Sequence, residues 1–204
     1  MNGVNDVNGE SGRRGRPRRP ETDTRILQAT VELLGESGYG ALSIEAVAAR
    51  AGVTRPTVYR RWPDKAHLVV DALAQTVPVA PAPDSGDLRA DLHDLARGLV
   101  DRLIRTGLAR IILAVHADSF GHQDLAVPLR NLYLRPRLET ITDVIARAVD
   151  RGDLPPHTSP ATARDLLAGP IFYRWLVSGD LTDTDVEELA DTTWRALTGQ
   201  EQGP

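Results

Sequence analysis

The chain has 204 residues, a formal net charge of −4, no cysteine and only 4% aromatic residues. That length suits one or two domains with a substantial buried core. The lack of cysteine excludes disulfides, zinc–thiolate sites and thiol nucleophiles, and no apolar run is long enough to span a bilayer.

The charge is unevenly spread: residues 1–70 carry 11 Arg and Lys against 8 Asp and Glu, and the remainder carries 13 against 20. A basic amino-terminal module joined to an acidic body suits a DNA reader whose second domain stays off the phosphates. Residues 1–12, MNGVNDVNGESG, show no periodicity and are predicted to be disordered. This polar, arginine-rich start is unlike a signal peptide, so a cytoplasmic protein is expected. Within RRGRPRRP (residues 13–20), Arg14-Gly15-Arg16-Pro17 matches the core of an AT-hook. There glycine lets the backbone approach the floor of a narrow A·T-rich minor groove, and Arg14, Arg16 and Arg18 would follow its negative potential. A plain basic tail giving nonspecific attraction is the other reading. In both, residues 1–20 form an arm beside the module that follows.

Helical periodicity begins at about Asp23 and runs to Ser37, burying Ile26, Thr30, Leu33 and Leu34, with Gly38 and Gly40 ending the helix. Residues 42–68, LSIEAVAARAGVTRPTVYRRWPDKAHL, carry the most functional information. Ser43 is suited to cap a helix whose buried stripe is Ile44, Val47, Ala48 and Ala51. Gly52 falls where a chain passing between two helices needs positive φ. Thr54 is placed to cap the second helix, and Pro56 falls in its first turn, where a missing N–H is harmless. The pattern is a helix-turn-helix. Its second helix leaves Arg55, Thr57, Tyr59, Arg60 and Arg61 facing outward, too short and cationic to build core but suited to a major groove. A helical hairpin with a solvated basic face shares this local pattern.

The longer stretch, residues 21–80, resembles the DNA-binding domain of the tetracycline-repressor (TetR) family of bacterial regulators. The resemblance rests on TDTRILQATVELLGESGYGALS, the AGVT turn, PTVY in the second helix and the W-P-D-K junction, all in register. It implies base reading by Arg55, Pro56 and Thr57, and phosphate contacts from Ser43, Tyr59, Arg60 or Arg61, and Lys65. His67 departs from the pattern, because many members close the capping box of the next helix with an acidic residue there.

That next helix is predicted from about Asp64 to Thr76, and Pro78–Asp87, PVAPAPDSGD, reads as a linker. Beyond it the pattern is helical throughout, so the fold class is all-α. Asp87 to Arg105 has a leucine stripe at 88, 92, 95, 99 and 103, and Ile111-Ile112-Leu113 predicts that the helix from Leu108 to Asp118 is buried on most sides. In the segment Asp124–Asp150, Pro128 should fall in a first turn and Pro136 should kink or divide the helix. Ser159 and Pro160 open a helix to about Ser178, and a Thr184…Glu187 capping box opens the last, to about Leu197. The expected layout is an arm (1–20), a DNA-binding domain (21–80) and a helical effector-binding and dimerisation domain (87–199).

No catalytic constellation is present. His116 with Asp118 and His122 with Asp124 flank one helix–loop junction, as a metal pair or as capping and surface groups. A ligand-quality site needs three or four convergent groups, so no metal and no cofactor is expected. His116, Phe120, Tyr133, Phe172 and Trp175 are either core filling or the walls of an apolar effector cavity. Leu166, Gly169, Pro170, Tyr173, Val186, Leu189, Thr193 and Trp194 form apolar surface on the last two helices. The resemblance implies that these helices pair with their mates in a homodimeric four-helix bundle. The expected function is a non-enzymatic transcriptional regulator: a repressor that binds a palindromic operator on double-stranded DNA as a homodimer and is released by a small-molecule effector. The alternative is an architectural DNA-binding protein without an effector.

Overall fold

A computed structural model describes residues 19–199, and Arg14, Arg16 and Arg18 of the arm lie outside them. Over this span the fold is all-α. The helices are α1 (Arg19–Ala41), α2 (Ile44–Arg50), α3 (Arg55–Tyr59), α4 (Lys65–Thr76), α5 (Leu88–Leu99), α6 (Leu108–Ser119), α7 (Gln123–Pro128), α8 (Arg135–Arg151), α9 (Pro160–Ser178) and α10 (Asp183–Thr198). No described helix is long and apolar enough to cross a membrane.

Two helices differ from their sequence reading in the same way. The helix opening at Leu88 passes into a π segment over Val100–Ile104, and a second π segment, Leu129–Leu134, joins α7 to α8. Pro128 ends α7 rather than standing in its first turn, and Pro136 occupies the opening turn of α8. The π stretch lies between the two prolines, whose missing N–H groups break the ordinary helical ladder on either side of it. Ile111, Ile112 and Leu113 are only half-buried, so α6 is less enclosed than its apolar run suggests. The capping box of α10 is Thr182 with Asp185, one pair earlier than expected.

The described side chains form two cores. The first joins α1–α4 around Ile26, Leu34, Val47, Val58, Leu68 and Leu73, and it also takes Val115, Leu125, Leu129 and Tyr133 from beyond the linker. The second gathers α5, α8, α9 and α10 around Leu92, Ile145, Leu167, Ile171 and Ala190. The intervening Pro78–Asp87 segment is irregular but anchored. Buried Asp91 accepts bonds from Ser85 N–H (3.0 Å) and Oγ (2.7 Å), and Arg147 donates to the Pro83 carbonyl at 2.6 Å.

Candidate nucleic-acid interface

The motif is built from the buried side outward. Ser43 Oγ accepts from Ala46 N–H at 3.1 Å and fixes the start of α2. Gly52 turns the chain at φ 65°, and Val53 N–H reaches the Ala48 carbonyl at 2.9 Å. Thr54 does not cap α3 with its side chain; its hydroxyl pairs with that of Thr57 at 3.0 Å. Val58 and Trp62 plug α3 into the first core, with Trp62 Nε1 donating to Asp71 of α4 at 2.8 Å. Packing and hydrogen bonding therefore aim a five-residue helix without its needing intrinsic stability.

That anchoring leaves Arg55, Pro56, Tyr59 and Arg60 exposed and Thr57 half-buried. Arg55 Nη2 rests 2.5 Å from Glu45 Oε1 at the start of α2. Arg60 forms no ion pair among the described residues, so its charge is free for an anion. Arg61 is turned back: it pairs with Asp23 of α1 and donates to the Thr57 carbonyl. Of the two arginines left open by sequence, Arg60 is the accessible one.

Lys65 sits at the first turn of α4. Its Nζ donates to the Tyr39 carbonyl at 2.9 Å and lies 4.1 Å from the Tyr39 ring centroid. Asp64 caps α4 through His67 N–H (2.8 Å), and the His67 ring lies 2.9 Å from the same carboxylate. Burial works to raise the Asp64 pKa, but these hydrogen bonds outweigh it and hold the carboxyl below its ordinary value. The imidazole thus meets the capping carboxylate itself, whereas an acidic residue there would reach back to the Asp64 backbone N–H.

Sequence reasoning missed Tyr39. Its side chain is fully buried, its N–H donates to Asp118 at 2.9 Å, and its hydroxyl donates to Asp124 at 2.8 Å. His122 meets its ring edge-on at 5.2 Å between centroids. Burial and the Asp124 bond push the phenol pKa well above its usual range. Gly38, at φ 73°, turns the chain so that Tyr39 can enter this clasp. Asp118 and Asp124 therefore tie the α6–α7 junction to the α1–α4 unit that carries the helix-turn-helix, and no described group of His, Asp and Glu is arranged to hold a metal.

The five residues considered for an effector cavity are not brought together. Phe120 is 83% exposed and meets His116 edge-on, Tyr133 is buried in the first core, and Phe172 and Trp175 pack into the second. The dimerisation set also divides. Val186, Leu189 and Thr193 are buried within the same protomer and Trp194 is half-buried, because α10 packs on α5. Leu166, Gly169, Pro170 and Tyr173 are exposed on α9, and Leu176 and Val177 extend that surface at 69% and 67% exposure.

Two family descriptions match the chain: "Bacterial regulatory proteins, tetR family" over residues 26–72, and "Tetracyclin repressor-like, C-terminal domain" over residues 82–193. The chain is 31% identical over 182 residues to the uncharacterised helix-turn-helix-type transcriptional regulator YdeS of Bacillus subtilis, covering 86% of this chain and 89% of YdeS. It is 34% identical over 171 residues to a similarly described regulator of Mycobacterium tuberculosis, covering 83% and 84%. The crystal structure of NalD, the secondary repressor of the MexAB-OprM multidrug efflux pump in Pseudomonas aeruginosa, superposes with a TM-score of 0.63 at 31% identity, covering 87% of this chain and 96% of NalD.

Proposed function

The chain belongs to the tetR family of bacterial transcriptional regulators, and on that premise we propose that it is a repressor that binds a palindromic operator as a homodimer and leaves it when a small molecule binds. The observation that carries this reading is the exposed end of α3. Arg55 and Pro56 project there from a helix pinned by Val58 and Trp62, a geometry suited to base edges in a major groove. Arg55, Pro56 and Thr57 read bases, while Ser43, Tyr59, Arg60 and Lys65 hold phosphates. The arginine-rich arm adds minor-groove contacts. Dimerisation uses the outer face of α9, with the neighbouring edge of α10 beside it. The clasp on Tyr39 supports a ligand response, since it joins the elements that touch DNA to α6 and α7. The similarity to NalD supports repression rather than activation.

Footprinting with the purified protein tests the reading. A discrete palindrome protected at two half-sites is expected. Broad coverage of A·T-rich DNA without a palindrome would instead identify an architectural protein.

A further inference from the structure

A cavity of about 80 Å³ lies between the linker, α5 with its π segment, and α8. Its walls are aliphatic: Val77, Val79, Leu95, Leu99, Leu103 and Ile141. Three polar side chains reach it, those of Arg102, Arg137 and Thr140. Most arginines after the linker are ion-paired, as Arg89 is with Asp191, Arg105 with Asp101 and Arg174 with Asp185. Arg102 and Arg137, like Arg110, Arg130 and Arg195, have no carboxylate partner among the described residues, and of the five these two line the cavity, Arg102 from its exposed side.

Arg137 is half-buried and satisfied only by weaker groups. It donates to the carbonyls of Tyr133 (2.7 Å), Ala74 (3.4 Å) and Val77, lies 3.8 Å from the Tyr133 ring centroid, and has a buried Nε without a partner. The Arg102 guanidinium folds back along Gly98, where a Cβ would come within 2.7 Å of Nη1. Arg102 and Leu103 stand on one π segment, and Arg137 follows closely after the other. Such segments are frequent at functional sites because the inserted residue redirects side chains out of the helical register.

We propose that this cavity is the effector site and that it takes a small apolar carboxylic acid as its anion, an assignment that rests on the ligand-responsive reading above. The carboxylate sits between Arg102 and Arg137, with the Thr140 hydroxyl exchanging its 3.3 Å bond to the Pro136 carbonyl for one to the ligand, and the hydrocarbon tail lies against the aliphatic walls. Two guanidinium groups without acidic partners beside apolar side chains favour one negative charge carrying a hydrocarbon. The regulatory step follows from the present partners of Arg137. Ala74 and Val77 are the last turn and C-cap of α4, the helix that begins at Lys65. A charged acceptor binds a guanidinium more strongly than a neutral carbonyl does, so the ligand draws Arg137 away and frees the end of α4. The ligand shifts the equilibrium because only the released arrangement gives it both arginines.

Calorimetric titration of the full-length protein at constant ionic strength tests this, using hexanoate with 1-hexanol and hexylamine as equal-length controls. Saturable hexanoate binding is expected, with hexanol roughly ten-fold or more weaker, the difference made by the charged hydrogen bonds. Arg102→Ala should weaken hexanoate at least ten-fold while keeping the helical circular dichroism spectrum, and Leu99→Phe, which fills the cavity, should block it. Hexanol binding as tightly as hexanoate, no saturable hexanoate binding, or unchanged affinity in Arg102→Ala would each overturn the site. Release of a selected DNA fragment is measured separately. If another compound releases DNA while hexanoate fails to bind, the site assignment falls and the ligand-responsive reading stands. If hexanoate binds through Arg102 without releasing DNA, the site stands and the coupling through α4 is wrong.

Discussion

Arg55 has a partner in the free protein, and the strength of that partnership decides whether it can read a base. Both members of the Arg55–Glu45 pair are more than half exposed, and such a pair contributes about 0–1 kcal/mol. A bidentate arginine–guanine contact is worth about 1–3 kcal/mol of discrimination, so the proposed base contact would be strong enough to displace Glu45. Arg55→Ala should therefore cost about 1–3 kcal/mol and relax preference at one position in each half-site. Binding-site selection checks this, and an unchanged preference would remove Arg55 from the reading set. Lys65 works differently. Among the described residues its Nζ makes one hydrogen bond, to the Tyr39 carbonyl, which leaves donors for a phosphate. Lys65→Ala should weaken binding to all sequences alike and lower the salt slope by about 0.9, as salt-dependent titrations on two unrelated DNA sequences would register. At this scale the local chemistry was legible: the Ser43 cap and the Gly52 turn follow from neighbours a few residues away. The fate of Arg61 was not, because its partner Asp23 comes from another helix.

Between elements, the clasp on Tyr39 is a long-range contact that periodicity does not reveal. Its partners lie 79 and 85 residues away, and nothing in DSFGHQD marks those carboxylates as acceptors for a distant tyrosine. Tyr39→Phe removes one hydrogen bond and keeps the ring. It should destabilise the protein by about 0.5–1.5 kcal/mol, measured as a lower urea midpoint with an unchanged slope. A second clamp ties α5 to α10. Asp191 accepts from Arg89 Nε at 2.8 Å and lies 2.7 Å from His93 Nε2. The Arg89 and His93 hydrogen bonds hold its carboxyl far below the ordinary value of 3.8. A carboxyl depressed on folding adds stability that is complete above its unfolded pKa and is lost as pH falls below it. The melting-temperature gap between the native protein and Asp191→Asn should thus be widest near neutrality and narrow below about pH 4; a gap independent of pH would deny the clamp its electrostatic part. The start of α10 has a local physical explanation. TDTDVEE offers two capping boxes, and Thr182 prevails because it places buried Leu181 and Val186 at the N′ and N4 positions of a hydrophobic staple. The π segments stayed hidden because the leucine spacing from 88 to 103 satisfies an ordinary helix as well.

At the scale of the whole molecule, the linker was readable but the sharing of the cores was not. Proline and glycine mark Pro78–Asp87, yet the first core reaches past it for Val115, Leu125, Leu129 and Tyr133, so the reading head and the body are joined by packing as well as by chain. The same shift in burial changes how dimerisation must be tested. Leu189 looked like an interface residue, but it is 9% exposed within one protomer, and a charge there would disrupt the fold before it disrupted any partner. Tyr173 and Val177 are 70% and 67% exposed and lie on one face of α9, four residues apart. Covering an apolar side chain of this kind contributes about 1.5–3 kcal/mol, whereas burying an unpaired carboxylate opposes association by several kcal/mol. Tyr173→Asp combined with Val177→Asp should therefore give a monomer with native helicity that melts below the native protein, at a temperature that no longer depends on concentration. A single reading head cannot span two half-sites on one DNA face, so this monomer should retain only weak, salt-sensitive DNA binding. Sedimentation equilibrium decides the matter: if the double variant is still a dimer, the contact between copies is made by another face of the protein.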